Sequence, residues 1–158
     1  GDKPVLCVAG RGPLDEAAAI MLAQLLEKHG LGARAEAADA VAISNIFRLD
    51  TSGIVMVCLS YLDAGSPAHM RYAIRRMRRK LPEAQVLLGC WMADIDRATL
   101  REMAKADAVA TTLREAVRLC LEAAGNSRDS SFLTEVSRRS QKWTPHSSSN
   151  VFVTVGRF

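Results

Sequence analysis

Three short stretches hold residue types that could do chemistry. The first is GRGPLDE at positions 10–16. Gly10-x-Gly12 follows an apolar run and supplies two glycines of GxGxxG, the pattern that lays a pyrophosphate on a helix N-terminus. The third glycine is replaced by Asp15. With Glu16 it puts two negative charges in the first helical turn, where they favour the helix dipole and repel an anion. The loop is therefore a poor phosphate cradle. The second stretch is SYLDAGS (60–66) and the third is GCWMAD (89–94). Asp15, Asp63 and Asp94 could together hold a hard cation, although such residues more often cap helices or face water. Cys90 stands where a reactive thiol could stand, but no histidine or lysine partner is evident for it. Its plain reading is a small residue packed at a strand end.

These stretches need a scaffold, and the rest of the sequence supplies one. PVLCVAG (4–10), GIVMVCLS (53–60) and QVLLGCW (85–91) are short continuous apolar runs, as expected of strands buried on both faces. ARAEAA (33–38) reads as a weaker edge strand and DAVATT (107–112) as a fifth strand. Helices are expected between them, over 13–30, 39–50, 66–82, 96–106 and 113–124. Pro13 and Pro67 suit first-turn positions, Asp39 and Ser66 suit caps, and Gly30 suits a left-handed terminus. Five βα units with short connections imply a three-layer α/β fold. Its parallel sheet would be doubly wound and flavodoxin-like, in the order 2-1-3-4-5. Ligands of such sheets lie beyond the C-terminal ends of the strands, where the three stretches fall. The candidate crevice is Arg11, Asp15, Ser60, Asp63, Gly89 and Trp91.

Composition narrows the function. The chain has 158 residues, 49% hydrophobic and 24% charged, enough for one domain with a sizeable core. No run is apolar enough for a membrane span, and no secretory leader is evident. Residues 1–124 carry 16 basic and 15 acidic side chains, so the body is nearly neutral and few aromatics interleave its charges. Nucleic acid is not an expected partner. The one basic cluster is RRMRRK, Arg75 to Lys80. It reads either as a solvated helix face or as a contact for anionic headgroups or an acidic partner. Cys7, Cys58, Cys90 and Cys120 form no CxxC and read as buried thiols of a reducing compartment. A phospho-acceptor site on this topology would need acids after the first strand, an aspartate ending the third and a lysine ending the fifth. Gly10, Ser60 and Thr111-Thr112 stand there. Residues 125–158 form a second segment, rich in serine, with NVFVTVGRF (150–158) as a candidate terminal edge strand.

The spacing of the rim loops resembles that of cobalamin-binding domains of the methionine synthase and mutase type, which carry DxHxxG, then SxL, then GG. PLDEAA (13–18) occupies the first motif, Ser60-Tyr61-Leu62 is an intact SxL, and Gly89-Cys90 is half of the GG. Pro13 replaces the motif's aspartate, Asp15 its histidine and Ala18 its glycine. In that family the histidine ligates cobalt, and Asp15 has no imidazole to offer. The resemblance implies the fold, while Cys90 and Trp91 crowd the last loop against a nucleotide tail. GRGPLDEAAA then looks like a divergent cofactor loop whose acids serve the helix.

A second resemblance lies in VLCVAGRGPLDEAAAIMLAQLLEKHGLGAR, NIFRLD and MVCLSYLDAGSPAHMRYAIRRMRR. Together these look like the soluble region that follows the membrane domain in proteobacterial permeases of the autoinducer-2 exporter family. It implies a non-enzymatic regulatory or interaction domain at the cytoplasmic face of the inner membrane. Its partners would be the membrane domain of the parent permease, a small molecule in the crevice, and copies of itself in a homo-oligomer. No resident cofactor and no metal are expected on this reading. The alternative is a corrinoid-binding module that holds its ligand base-on, without a protein imidazole.

Overall fold

The computed structural model describes residues 2–92 and 94–142. Residues 150–158, the expected terminal strand, lie outside the described residues. The five expected strands are present as β1 (Val5–Ala9), β2 (Ala33–Glu36), β3 (Met56–Tyr61), β4 (Gln85–Cys90) and β5 (Ala108–Ala110). All pairings are parallel, in the order β2-β1-β3-β4-β5. This is the doubly wound, flavodoxin-like α/β sheet that the alternating segments predict. Every residue of β1 and β3 is buried, which is why those strands read as unbroken apolar runs rather than as alternating ones.

Helices α1 (Pro13–Lys28), α2 (Pro67–Lys80), α3 (Arg97–Ala104) and α4 (Leu113–Lys142) complete the elements. Their ends follow the sequence cues. Ser66 accepts a hydrogen bond from the His69 N–H at 3.2 Å, and Asp96, which is not among the caps expected from sequence, accepts one from the Thr99 N–H at 3.0 Å. Gly30 adopts the left-handed conformation after α1, with φ +80°. Two core layers result. Leu6, Val8, Val57, Leu59, Tyr61, Val86 and Leu88 face α2 and α3. Val5, Cys7, Met56, Cys58 and Leu87 face α1 and the start of α4, where Ala116, Val117 and Cys120 close the layer. The four cysteines are buried free thiols.

Two expectations fail. Residues 39–50 do not form a helix capped by Asp39. They form two 3-10 turns, Ala38–Val41 and Ile46–Arg48, and no side chain caps either. Ala42, with ψ 152°, is extended and separates them. The β-branched Val41, Ile43 and Ile46 weaken helix formation here, and the Asn45 side chain bonds the Asp39 carbonyl at 3.0 Å instead of leaving the backbone to an α-helix. The last helix also does not stop before Gly125. Helix α4 runs on to Lys142. A glycine inside a helix costs only about 1 kcal/mol relative to alanine, and the i,i+4 pairs Arg118–Glu122 and Arg139–Glu135 support the turns on either side. Gly1–Gly125 nevertheless forms one compact unit, separate from the residues after it.

Candidate functional site

The C-terminal ends of β1, β3 and β4 form one rim, and backbone bonds continue the sheet into it. Gly10 N–H donates to Ser60 O at 2.8 Å, Trp91 N–H to Tyr61 O at 3.0 Å, and Met92 N–H to Leu62 O at 2.7 Å. The loops that carry the expected residues are thus fixed to one another. Among the described residues, the buried polar or charged side chains are Asp15 and Ser60. Both belong to the crevice expected from sequence. Burial of such groups is costly unless they are partnered, so their placement here is informative.

The six expected residues fall into two groups. In the first, the Asp15 carboxylate accepts from the Arg11 N–H at 3.0 Å and the Leu62 N–H at 2.7 Å. It therefore staples the β1 loop to the β3 loop, whereas the sequence suggested that it serves its own helix. The N-terminus of α1 has no side-chain cap. The Arg11 guanidinium pairs with Asp63 at 3.3 Å and lies 5.3 Å from the centre of the Tyr61 ring. Asp63 also accepts the Gly65 N–H at 2.8 Å. Tyr61 is the residue that sequence reasoning missed. Its ring covers Gly10 so closely that a Cβ there would collide with it. His69 packs edge-on against the same ring, with centroids 5.8 Å apart, and its Nε2–H donates to Gly10 O at 3.3 Å. The period-2 pattern of β3 was the available signal, because it sends Tyr61 to the α2 side with Val57 and Leu59.

The second group lies on the α1 face of the sheet, opposite the Tyr61 ring. Ser60 and Gly89 are register partners in neighbouring strands. The Trp91 indole packs over Gly89, filling the space that a Cβ would need. Ser60 Oγ, Trp91 Nε1 and Tyr61 Oη are buried without a hydrogen-bond partner. Such unsatisfied groups call for an explanation in any folded protein.

The chemistry available at the rim is limited. Cys90 is fully buried, and desolvation, followed by the nearby negative charge of Asp63, pushes its thiol up to about 11. It is a packing residue at neutral pH. Burial likewise pushes the Tyr61 phenol up. Asp94 is exposed and does not join Asp15 and Asp63, and among the described residues no cluster of acids, histidines and cysteines could hold a metal ion. Nor does the rim, as arranged, fit a corrinoid. The Asp15 carboxylate is already bonded to two backbone amides. Tyr61 and Trp91 fill the space beside Gly10 and Gly89.

No family model matches the chain. No curated protein matches it. Among solved structures, it is similar to a cobalamin-binding protein from Desulfitobacterium hafniense DCB-2, with a TM-score of 0.59 and 16% identity. The match covers 75% of this chain and 58% of that protein, so the chain spans less than two thirds of its neighbour's length. At this identity the likeness is one of fold. The chain has a cobalamin-binding-like α/β fold. Among the described residues no helix is long and apolar enough to cross a membrane.

Proposed function

We propose that the chain is a non-enzymatic regulatory or interaction domain that serves a membrane permease at its cytoplasmic face. One observation carries this reading: the crevice of the fold is filled by the chain's own side chains. Trp91 lies over Gly89, Tyr61 over Gly10, and the Arg11–Asp63 pair spans the loops between them. The candidate nucleophiles are covered: Cys90 and Ser60 are fully buried, and Asp15 is bonded to amides. A domain of this kind acts through its surface. The likeness of residues 4–124 to the soluble region of autoinducer-2 exporter family permeases supports the attachment. The test is to express the complete natural reading frame that encodes this chain and to fractionate the cells. The reading expects the chain in the membrane fraction, released by detergent and not by alkaline carbonate. Release by carbonate, or recovery in the soluble fraction, would overturn the permease attachment.

A second reading is favoured by the unpartnered Ser60 Oγ and Trp91 Nε1 together with the fold likeness. It is a corrinoid-binding module working base-on, in which Trp91 swings aside. Calorimetric titration with hydroxocobalamin and adenosylcobalamin separates the two. Micromolar binding, tightened by Trp91→Ala and abolished by Ser60→Trp, would establish the second reading. Absence of heat with both the native chain and Trp91→Ala would end it.

A further inference from the structure

The strongest unassigned feature lies away from the rim. A groove of about 700 Å³ is lined by Ile43, Ile46, Phe47 and Tyr72, and edged by Arg75, Arg76, Arg79 and Lys80. Residues 38–48, folded as two 3-10 turns and their connection, supply Ile43, Ile46 and Phe47 to it. The turns leave Ile43 79%, Phe47 66% and Tyr72 60% exposed. Soluble surfaces tolerate single exposed apolar residues, but three together at one groove mark a contact surface. The cations around them lack acidic partners. None of Arg75, Arg76, Arg79 and Lys80 makes an ion pair among the described residues, whereas Arg78, on the other side of α2, pairs with Asp107. Arg76 Nε is buried without a hydrogen-bond partner. Helix α2 carries six cations and no acid over Pro67–Lys80.

We infer that this face docks on an anionic lipid bilayer, with Ile43, Phe47 and Tyr72 entering the interface and Arg75, Arg79, Lys80 and Arg48 meeting the phosphates. Three arguments select this occupant. Ile43, Phe47 and Tyr72 are exposed side chains of the patch. A surface that receives a peptide helix instead encloses the partner's anchors in pockets. Exposed apolar side chains beside long cationic ones are what an interface of acyl chains and anionic headgroups accepts. The arginines already have the required posture. Arg48 lies 5.3 Å from the Phe47 ring and Arg75 lies 5.9 Å from the Tyr72 ring, so a charged head accompanies each aromatic side chain of the patch. Finally, a second copy on this face would set Arg75, Arg76, Arg79 and Lys80 against their own counterparts, which disfavours a symmetric dimer here. The inference does not depend on attachment to a permease.

The test uses the full chain and co-sedimentation with large vesicles of phosphatidylcholine, with or without a minor fraction of phosphatidylglycerol. Binding is expected to the anionic vesicles alone and to weaken as salt rises. Arg75→Glu/Arg79→Glu should reduce it at least tenfold, and so should Ile43→Ser/Phe47→Ser. All four positions are exposed, so circular dichroism should show intact folds. Arg114→Glu/Arg118→Glu changes net charge equally on α4 and should leave most of the binding in place. Several outcomes would overturn the inference: no binding to anionic vesicles, equal losses from the two arginine pairs, or no effect of the serine pair. So would a dimer that Ile43→Ser/Phe47→Ser dissolves, or saturable binding of an acidic amphipathic peptide by a chain that ignores vesicles.

Discussion

Asp15 shows how far a single residue's role depends on what lies beside it in space. Its type and position gave two plausible duties, anion repulsion and support of its own helix dipole. Its partners, the Arg11 and Leu62 amides, belong to two different loops, and the link to Leu62 spans a sequence distance that no local pattern reveals. Asp15→Ala would leave two partly buried N–H donors without acceptors, and should lower unfolding stability by about 1–3 kcal/mol. Asp15→Asn keeps an acceptor for one amide and should cost less. Urea denaturation measures both, and an alanine variant as stable as the native chain would remove the staple from the account. Cys90 gives a second check. Its thiol is raised from 9.0 to about 11 by burial, so at pH 8 the thiolate fraction should be about 100-fold below that of an ordinary cysteine. Maleimide labelling at that pH should leave it untouched until denaturant is added. A raised thiol is more protonated in the folded state. Its contribution to stability is therefore complete below pH 9 and is lost as pH rises towards 11. Rapid native labelling of Cys90 would contradict the packing.

At the scale of elements, the strands and most helix ends were legible because their causes are local. Apolar runs without alternation make doubly buried strands, and Ser66 and Gly30 carry helix-end chemistry in their own side chain or backbone. The segment 39–50 was not legible in the same way. Asp39 looks as good a cap as Ser66, yet only Ser66 accepts a backbone amide. Ser66→Ala should cost about 1 kcal/mol, whereas Asp39→Ala should change thermal stability by less than about 0.5 kcal/mol, as an ordinary surface substitution does. Equal losses at the two sites would mean that residues 38–41 are capped after all. The crevice was legible in position and not in content. Topology placed Arg11, Asp15, Ser60, Asp63, Gly89 and Trp91 at the strand ends, but the directions of the Tyr61 and Trp91 rings are set by packing against glycines in neighbouring strands. A mutant cycle tests that packing. Gly89→Ala should destabilise the chain by about 1–3 kcal/mol through overpacking against the indole, and most of that cost should vanish in a Trp91→Ala background. An undiminished cost there would mean that something other than Trp91 fills the site.

For the whole molecule, the decisive question is where the folding unit ends, because Gly125 lies inside α4 and yet Gly1–Gly125 is a compact unit. A sheet that is parallel throughout must be covered on both faces. One face depends on α1 and on the first turns of α4, where Ala116, Val117 and Cys120 are buried against Cys7, Cys58 and Met56. The Cys58 and Cys120 sulfurs lie 3.4 Å apart, and that contact, with a further one to Cys7 and full burial, raises the Cys58 thiol well above its ordinary value. These contacts all precede Gly125. A chain ending at residue 125 should therefore unfold cooperatively, with a denaturant midpoint close to that of the full chain. A chain ending at residue 112 keeps all five strands but uncovers one face of β1, β3 and β4. It should lose cooperative unfolding, bind a hydrophobic dye and aggregate. Guanidinium titrations of the two truncations decide the matter. Failure of the 125-residue chain to fold would place the stability of the sheet partly in the later turns of α4, while cooperative folding of the 112-residue chain would mean that α1 alone can close its face of the core.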